Sequence, residues 1–242
     1  MRLDQYIEIL MNAASCQLPD PRQNRLLAEL GDALLERWLP YLEHVEMPLG
    51  QVLCVSGRAH DHAYFPTTAI VSLMYVTSTG ASTETTVVGN EGVVGISLFL
   101  RGSTTLGQAV VQTAGHGYRM RAHMLRSETD SAGPVLTLLL RYTLAMMAQV
   151  SQTAACNRYH SVDQLFCRRL VMALDRLPSD NMAMTQELAA RLLGVRREGV
   201  TAAANKLQRD GVIDYRRGHV AVLDRSRLEA RTRDVFAHEG RR

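Results

Sequence analysis

The 242-residue chain is sparing with cysteine: Cys16, Cys54, Cys156 and Cys167 stand far apart, with no C-x-x-C pair. Reduced, mostly buried thiols fit that spacing, whereas an iron–sulfur centre needs several cysteines close together. No uninterrupted apolar run reaches the ~18 residues of a membrane span. At the N-terminus, Asp4 and Glu8 interrupt the stretch where a signal peptide needs an uncharged core. The expectation is a cytoplasmic protein with no membrane partner. Catalytic signatures are missing too. There is no H-E-x-x-H and no Walker loop, and "GISLF" lacks the second glycine of a nucleophile elbow. His60, Asp61 and His62, with Cys54 upstream, are metal-ligand residue types, but so short a cluster is more often a surface loop. No enzymatic activity, metal or cofactor is expected.

What is present divides the chain by charge. Residues 181–242 hold 13 basic and 8 acidic side chains, a net of +5, while residues 1–180 hold 14 and 16, a net of −2. A basic tail on a neutral body points to a polyanionic partner.

Texture divides it further. Residues 3–11 and 24–39 read as amphipathic helices, the second ending near Pro40. From Val45 to about Met124, short β-rich runs ("QVLCV", "AIVSLMYV", "TETTVV", "GQAVVQ", "GYRMRA") alternate with turn residues, as in a compact antiparallel roll. "TSTGAST" is a hairpin turn on this reading. After Gly133-Pro134 a long helix follows. Leu136, Leu140, Thr143, Met147, Val150 and Ala154 recur on it at alternating spacings of four and three, an a/d seam. Leu138, Leu139, Leu144 and Met146 fall off that seam, so the helix has one face for the roll and one for a twin. A parallel homodimer is expected. Residues 161–177 read as another helix, and "LPSDN" as a hinge-like turn. The fold class is α+β: a jelly-roll-like antiparallel β-roll flanked by helices, a long dimerisation helix and a winged helix-turn-helix. The corresponding ranges are an extension over 1–23, the roll over 24–133, the dimerisation helix over 134–157 and the terminal domain over 158–242.

The last quarter carries the densest signal, "MTQELAARLLGVRREGVTAAANKLQRDGVIDYRRGHVAVLD". Thr185 is a good N-cap, and Glu187 complements the dipole of the helix it opens. Gly194 supplies a left-handed turn residue, and a second helix begins near Arg196 or Arg197. Ala190, Gly194 and Val200 stand at offsets of zero, four and ten. They suit the small contact residue, turn glycine and locking apolar residue of a helix-turn-helix. Two strands joined through Arg216-Arg217-Gly218-His219 make a wing. Arg196, Arg197, Glu198 and Thr201 then face base edges in the major groove, where Arg can grip guanine and Glu can accept from cytosine. Thr185, Gln186, Lys206, Arg209, Arg216 and Arg217 are placed at phosphates, which give affinity and register rather than sequence.

A roll, a long helix and a C-terminal winged helix-turn-helix resemble the Crp/Fnr family of bacterial transcription regulators over roughly residues 24–224. The resemblance is most specific at "GVRREGVTAAANKLQRDGVI", similar to the family's R-E-x-V recognition pattern. It implies base-reading roles for Arg197 and Glu198, and a departure where Ala202 replaces a further arginine. It also implies where a cyclic nucleotide would sit, within "EGVVGISLFLRGSTTLGQAVVQ". There Ile96 stands for the ribose-binding glutamate, and Gly107 and Gln108 stand for the phosphate-gripping arginine and its hydroxyl partner. Arg101 is the one guanidinium nearby in sequence. The stretch argues for the fold and against that ligand, leaving the effector unknown. The expected function is a homodimeric, sequence-specific regulator on double-stranded DNA with a palindromic operator, contacting RNA polymerase if it activates. A nonspecific nucleic-acid binder is the first rival, and an enzyme with a catalytic roll the second.

Overall fold

The computed structural model describes residues 19–80, 82–100, 102, 104–105, 107–130, 133–177 and 179–232. The helix expected over 3–11, Cys16 and Arg101 lie outside the described residues. The single helix expected over 24–39 is two, α1 (Arg25–Ala28) and α2 (Asp32–Trp38). Gly31 separates them at φ 76°, a left-handed conformation that glycine adopts without steric cost. Asn24 caps α1 by accepting from the Leu27 amide, while its own amide donates to the carbonyls of Pro66 and Gly92. One fully buried side chain thus ties the helix to the end of the third strand and to a loop of the roll.

Seven strands build the roll: β1 (Glu43–Met47), β2 (Val52–Cys54), β3 (His62–Pro66), β4 (Ile70–Val76), β5 (Ser82–Val88), β6 (Gln108–Thr113) and β7 (Gly115–Arg121). They form two antiparallel sheets, ordered β1-β7-β3 and β2-β6-β4-β5. Five of the seven lie in the β-rich runs of the sequence. β1 and β3 do not, because Glu43, His44, Glu46 and His62 dilute the apolar alternation. Phe65, Val93, Tyr118, Met120 and Leu125 fill the core beneath them, with Trp38 edge-on to Phe65 at 6.2 Å.

The chain leaves the roll through α3 (Ala122–Asp130) and α4 (Pro134–Tyr159). Pro134 opens α4, where its missing N–H costs nothing. His160 turns extended, and Ser161 with Gln164 forms a reciprocal capping box that starts α5 (Val162–Leu174). Part of the expected hinge is a strand, β8 (Asn181–Ala183), which joins the wing sheet in the order β8-β10-β9. Then follow α6 (Gln186–Leu193), α7 (Arg197–Arg209), β9 (Ile213–Arg216), β10 (His219–Val222) and α8 (Arg225–Ala230). Phe166, Leu170, Ala190, Val200, Leu207, Val220 and Leu228 form the core of this terminal unit. Ile70 and Val87 of the roll join the same core, so the unit is seated on the β4-β5 sheet. The architecture is α+β.

Candidate nucleic-acid interface

Thr185 caps α6, its hydroxyl accepting from the Leu188 amide at 3.1 Å. Gly194 follows the helix at φ 66°, and the Val195 amide returns to the Ala190 carbonyl at 3.1 Å. Arg196 is extended and α7 begins at Arg197. Ala190 and Val200 are both buried, at 6% and 0% exposure, in one core, while Gly194 is exposed in the turn between their helices. Arg196 at the cap and Arg197 and Glu198 on the first turn of α7 are exposed. Their side chains make no hydrogen bond or ion pair among the described residues.

The other candidates divide. The Thr201 hydroxyl bonds Gln186 Oε1 at 2.7 Å and the Arg197 carbonyl at 3.1 Å, so both Thr201 and Gln186 already serve the inter-helix contact. Lys206 Nζ pairs with Asp163 of α5 at 2.6 Å, and Arg216 pairs with Asp214 at 2.9 Å. Arg209 is exposed. Arg217 and Gly218 sit at φ 50° and 80°, the signature of a type I′ hairpin turn. This turn carries the Arg217 side chain out at the wing tip.

Sequence reading missed the struts. The Tyr215 hydroxyl donates to the Met184 carbonyl at 2.7 Å, and burial pushes the phenol up to about 12. Asp210, just past α7, receives Arg231 at 2.6 Å, while its carbonyl accepts from Arg227 at 2.9 Å. A lone tyrosine and two arginines among many carry no spacing signal that would reveal this.

On α4, Val135, Leu139, Tyr142 and Met146 face the roll, and the Tyr142 hydroxyl donates to the Val93 carbonyl at 3.2 Å. Of the expected seam, Leu140, Met147 and Val150 are 46%, 62% and 37% exposed, and Ala154 is exposed. Leu136 and Thr143 are half-buried, with the Thr143 hydroxyl on the Leu139 carbonyl. Leu144, placed off the seam, is the most exposed of these apolar side chains at 69%. The exposed apolar stripe therefore keeps Leu140, Met147, Val150 and Ala154 of the seam and adds Leu144 beside them. By length and composition α4 is apolar enough to cross a membrane, with a mean hydropathy of 1.2 over its best 18-residue window. Arg141 lies within the helix and one face packs on the roll.

The roll carries a half-open cavity of about 450 Å³, bordered on α4 by Val150. Ile96, Gly107, Gln108, Thr85, Tyr75 and His60 are among its lining, which includes no carboxylate or guanidinium among the described residues. A Cβ on Gly107 would lie 2.6 Å from the Met74 carbonyl oxygen, so the position is closed to any side chain while β4 stays in place. Burial lowers the His60 imidazole. No group of three His, Cys, Asp or Glu side chains suited to a metal occurs among the described residues.

Residues 166–231 match the model of the Crp-like helix-turn-helix domain. No curated protein matches the chain. Among solved structures, FixK2 from Bradyrhizobium japonicum is similar with a TM-score of 0.68 and 15% identity, over 78% of this chain and 96% of that one. The c-di-GMP responsive global regulator CLP of Xanthomonas campestris gives 0.63 and 20%, over 79% and 99%. TTHA1359, a Crp/Fnr-family transcriptional regulator from Thermus thermophilus, gives 0.64 and 20%, over 78% and 98%. The chain carries a Crp-like helix-turn-helix domain at the end of the fold shared by Crp/Fnr-family transcription regulators.

Proposed function

We propose that the protein is a sequence-specific, DNA-binding transcription regulator that acts as a homodimer in the cytoplasm. One observation carries this reading. Arg196 at the cap of α7 and Arg197 and Glu198 on its first turn are exposed and make no hydrogen bond or ion pair among the described residues, while Lys206 and Arg216 in the same unit have acidic partners. Side chains kept free at a helix end that enters the major groove are available for base edges. Arg209 and Arg217 are exposed for phosphates, and Thr201 and Gln186 act by fixing the angle between the helices. Pairing two chains through the Leu140–Leu144–Met147 stripe presents two recognition helices. The operator is then palindromic, with half-sites about one helical turn apart. If the protein activates, RNA polymerase is a further partner. Among the described residues the roll cavity offers no guanidinium to the phosphate of a cyclic nucleotide and no carboxylate to its ribose, which favours an uncharged effector.

Selection of bound fragments from random DNA by the purified protein, with and without cell extract, tests the reading. An enriched palindrome supports it. Recovery of unrelated sequences, with affinity falling steeply in salt, would replace it with a nonspecific binder.

A further inference from the structure

A half-open crevice of about 430 Å³ lies between the second sheet of the roll and α6, away from the roll cavity. On the roll side, Val52, Val110 and Ser72 form one row across β2, β6 and β4, with Met74 two residues further along β4. On the other side, Leu188, Arg191 and Leu192 line it at helical spacing. Leu49 and Val52 at its rim are 59% and 44% exposed, so apolar surface is left uncovered there. The volume falls within the range of small-molecule sites, about 300–1,000 Å³.

Two polar groups in this apolar setting are incompletely used. Gln112 on β6 lines the crevice and is 3% exposed. Its Oε1 lies 3.1 Å from the Ser72 hydroxyl, which also bonds Glu84 Oε2, and Glu84 in turn pairs with Arg169 of α5 at 3.3 Å. The Gln112 Nε2 has no partner among the described residues. Whichever end of the carboxamide meets Ser72, at least one N–H is left to donate. A buried donor without an acceptor is costly, and a ligand oxygen would relieve that cost. Arg191 is the crevice's one charged side chain among the described residues. It is exposed and makes no hydrogen bond or ion pair among them, and no carboxylate lines the crevice. A guanidinium over apolar walls suits a carboxylate, which it can hold with two parallel bonds. The roll cavity has no guanidinium among its described lining, so the two hollows select different chemistry.

We infer that the crevice is a small-molecule site for an apolar monocarboxylate carrying a second oxygen. The carboxylate meets Arg191 at the mouth, the chain lies between Val110 and Leu188, and a hydroxyl or keto oxygen accepts from Gln112 at the floor. The site does not depend on the DNA-binding reading, which stands or falls separately. The test is calorimetric titration of the full-length protein with ω-hydroxy acids from hexanoate to dodecanoate, with the plain acids, and with the matching alcohols, all below micelle-forming concentrations. Saturable binding of an ω-hydroxy acid is expected, about threefold tighter than the plain acid, the scale of one neutral hydrogen bond. Arg191→Gln should weaken the acids at least tenfold and leave the alcohols unchanged, the scale of one charge-assisted bond. Gln112→Met should erase the preference for the hydroxyl, and Val110→Trp, which fills the crevice, should abolish binding. Absence of saturable binding by every acid would overturn the site, as would equal affinity for acids and alcohols. So would full affinity in Arg191→Gln, or in Val110→Trp, which would put the ligand in the roll cavity. Arg191 is exposed, so its variant folds even where the two sheet variants do not, and it decides the matter together with the acid–alcohol comparison.

Discussion

Thr201 on the second helix and Gln186 on the first are joined across the turn by a 2.7 Å hydrogen bond. Sequence spacing puts Thr201 one turn beyond Arg197 and suggests a base contact, but its hydroxyl is already bound within the protein. Thr201→Val keeps the shape and removes the bond. The expected cost is about 1 kcal/mol in thermal unfolding, the ordinary net worth of one such bond. The base preferences in a binding-site selection should stay the same. A change of preferred base confined to one operator position would restore Thr201 to the base-reading set.

Arg197 differs, since its exposed side chain has no hydrogen-bond or ion-pair partner among the described residues. Arg197→Ala is expected to cost roughly 1–3 kcal/mol on the operator and little on unrelated DNA. Arg217→Ala, at the wing tip, should weaken both alike and reduce the salt slope by about one unit. Equal losses on operator and random DNA for Arg197→Ala would remove it from base reading.

The dimer stripe is testable at the residue the heptad pattern set aside. Leu144→Glu places a charge at a leucine of α4 that is 69% exposed, away from the roll. Light scattering should report monomers for Leu144→Glu and for Met147→Glu, with unfolding temperature measured at low concentration nearly unchanged. Monomers from Met147→Glu but dimers from Leu144→Glu would favour the seam as the spacing alone drew it.

How far the sequence was legible follows from which signals are local. The helix-turn-helix was readable because Thr185, Ala190, Gly194 and Val200 act through neighbours within a few residues. The wing was readable because Arg217-Gly218 encodes its own turn. Helix α2 was obscured by giving the apolar pattern of 24–39 more weight than Gly31. That Leu144 joins the exposed stripe of α4 could not be read, because two apolar stripes share that helix and only the fold decides which one packs on the roll. The Glu84–Arg169 pair joins residues 85 positions apart, and no periodicity announces it.

Gly107 tests whether the roll cavity could regain the arginine that the family resemblance places there. A Cβ there meets the Met74 carbonyl oxygen at 2.6 Å, which is backbone and cannot swing aside. Gly107→Arg is therefore expected to destabilise by about 1–3 kcal/mol, the usual cost of forcing atoms into a packed site. It should confer no cyclic-nucleotide binding by calorimetry, because Ile96 still offers no acceptor to a ribose. Micromolar binding without loss of stability would show that β4 yields more easily than its pairing with β5 and β6 implies.

The cysteines give a prediction with a definite sign in pH. Burial penalises the thiolate, so Cys54 and Cys167 are both pushed up from 9.0 to about 11. Thiolate is the reactive form, so at pH 8 alkylation of the native protein should run roughly a hundredfold slower than for a free cysteine. Unfolding in denaturant should abolish the difference. The same shift sets the stability profile. A thiol that ionises at about 11 when folded and near 9 when unfolded supports the folded state fully below pH 9. That support is lost as pH rises toward 11. Denaturant midpoints measured at pH 7, 9 and 10 should therefore fall across the last two values, and replacing both cysteines with serine or alanine should flatten that part of the curve. Rapid native labelling of Cys54 at pH 7 would instead mark an activated thiol on the rim of the roll cavity, and would make oxidation a candidate input to the sensor.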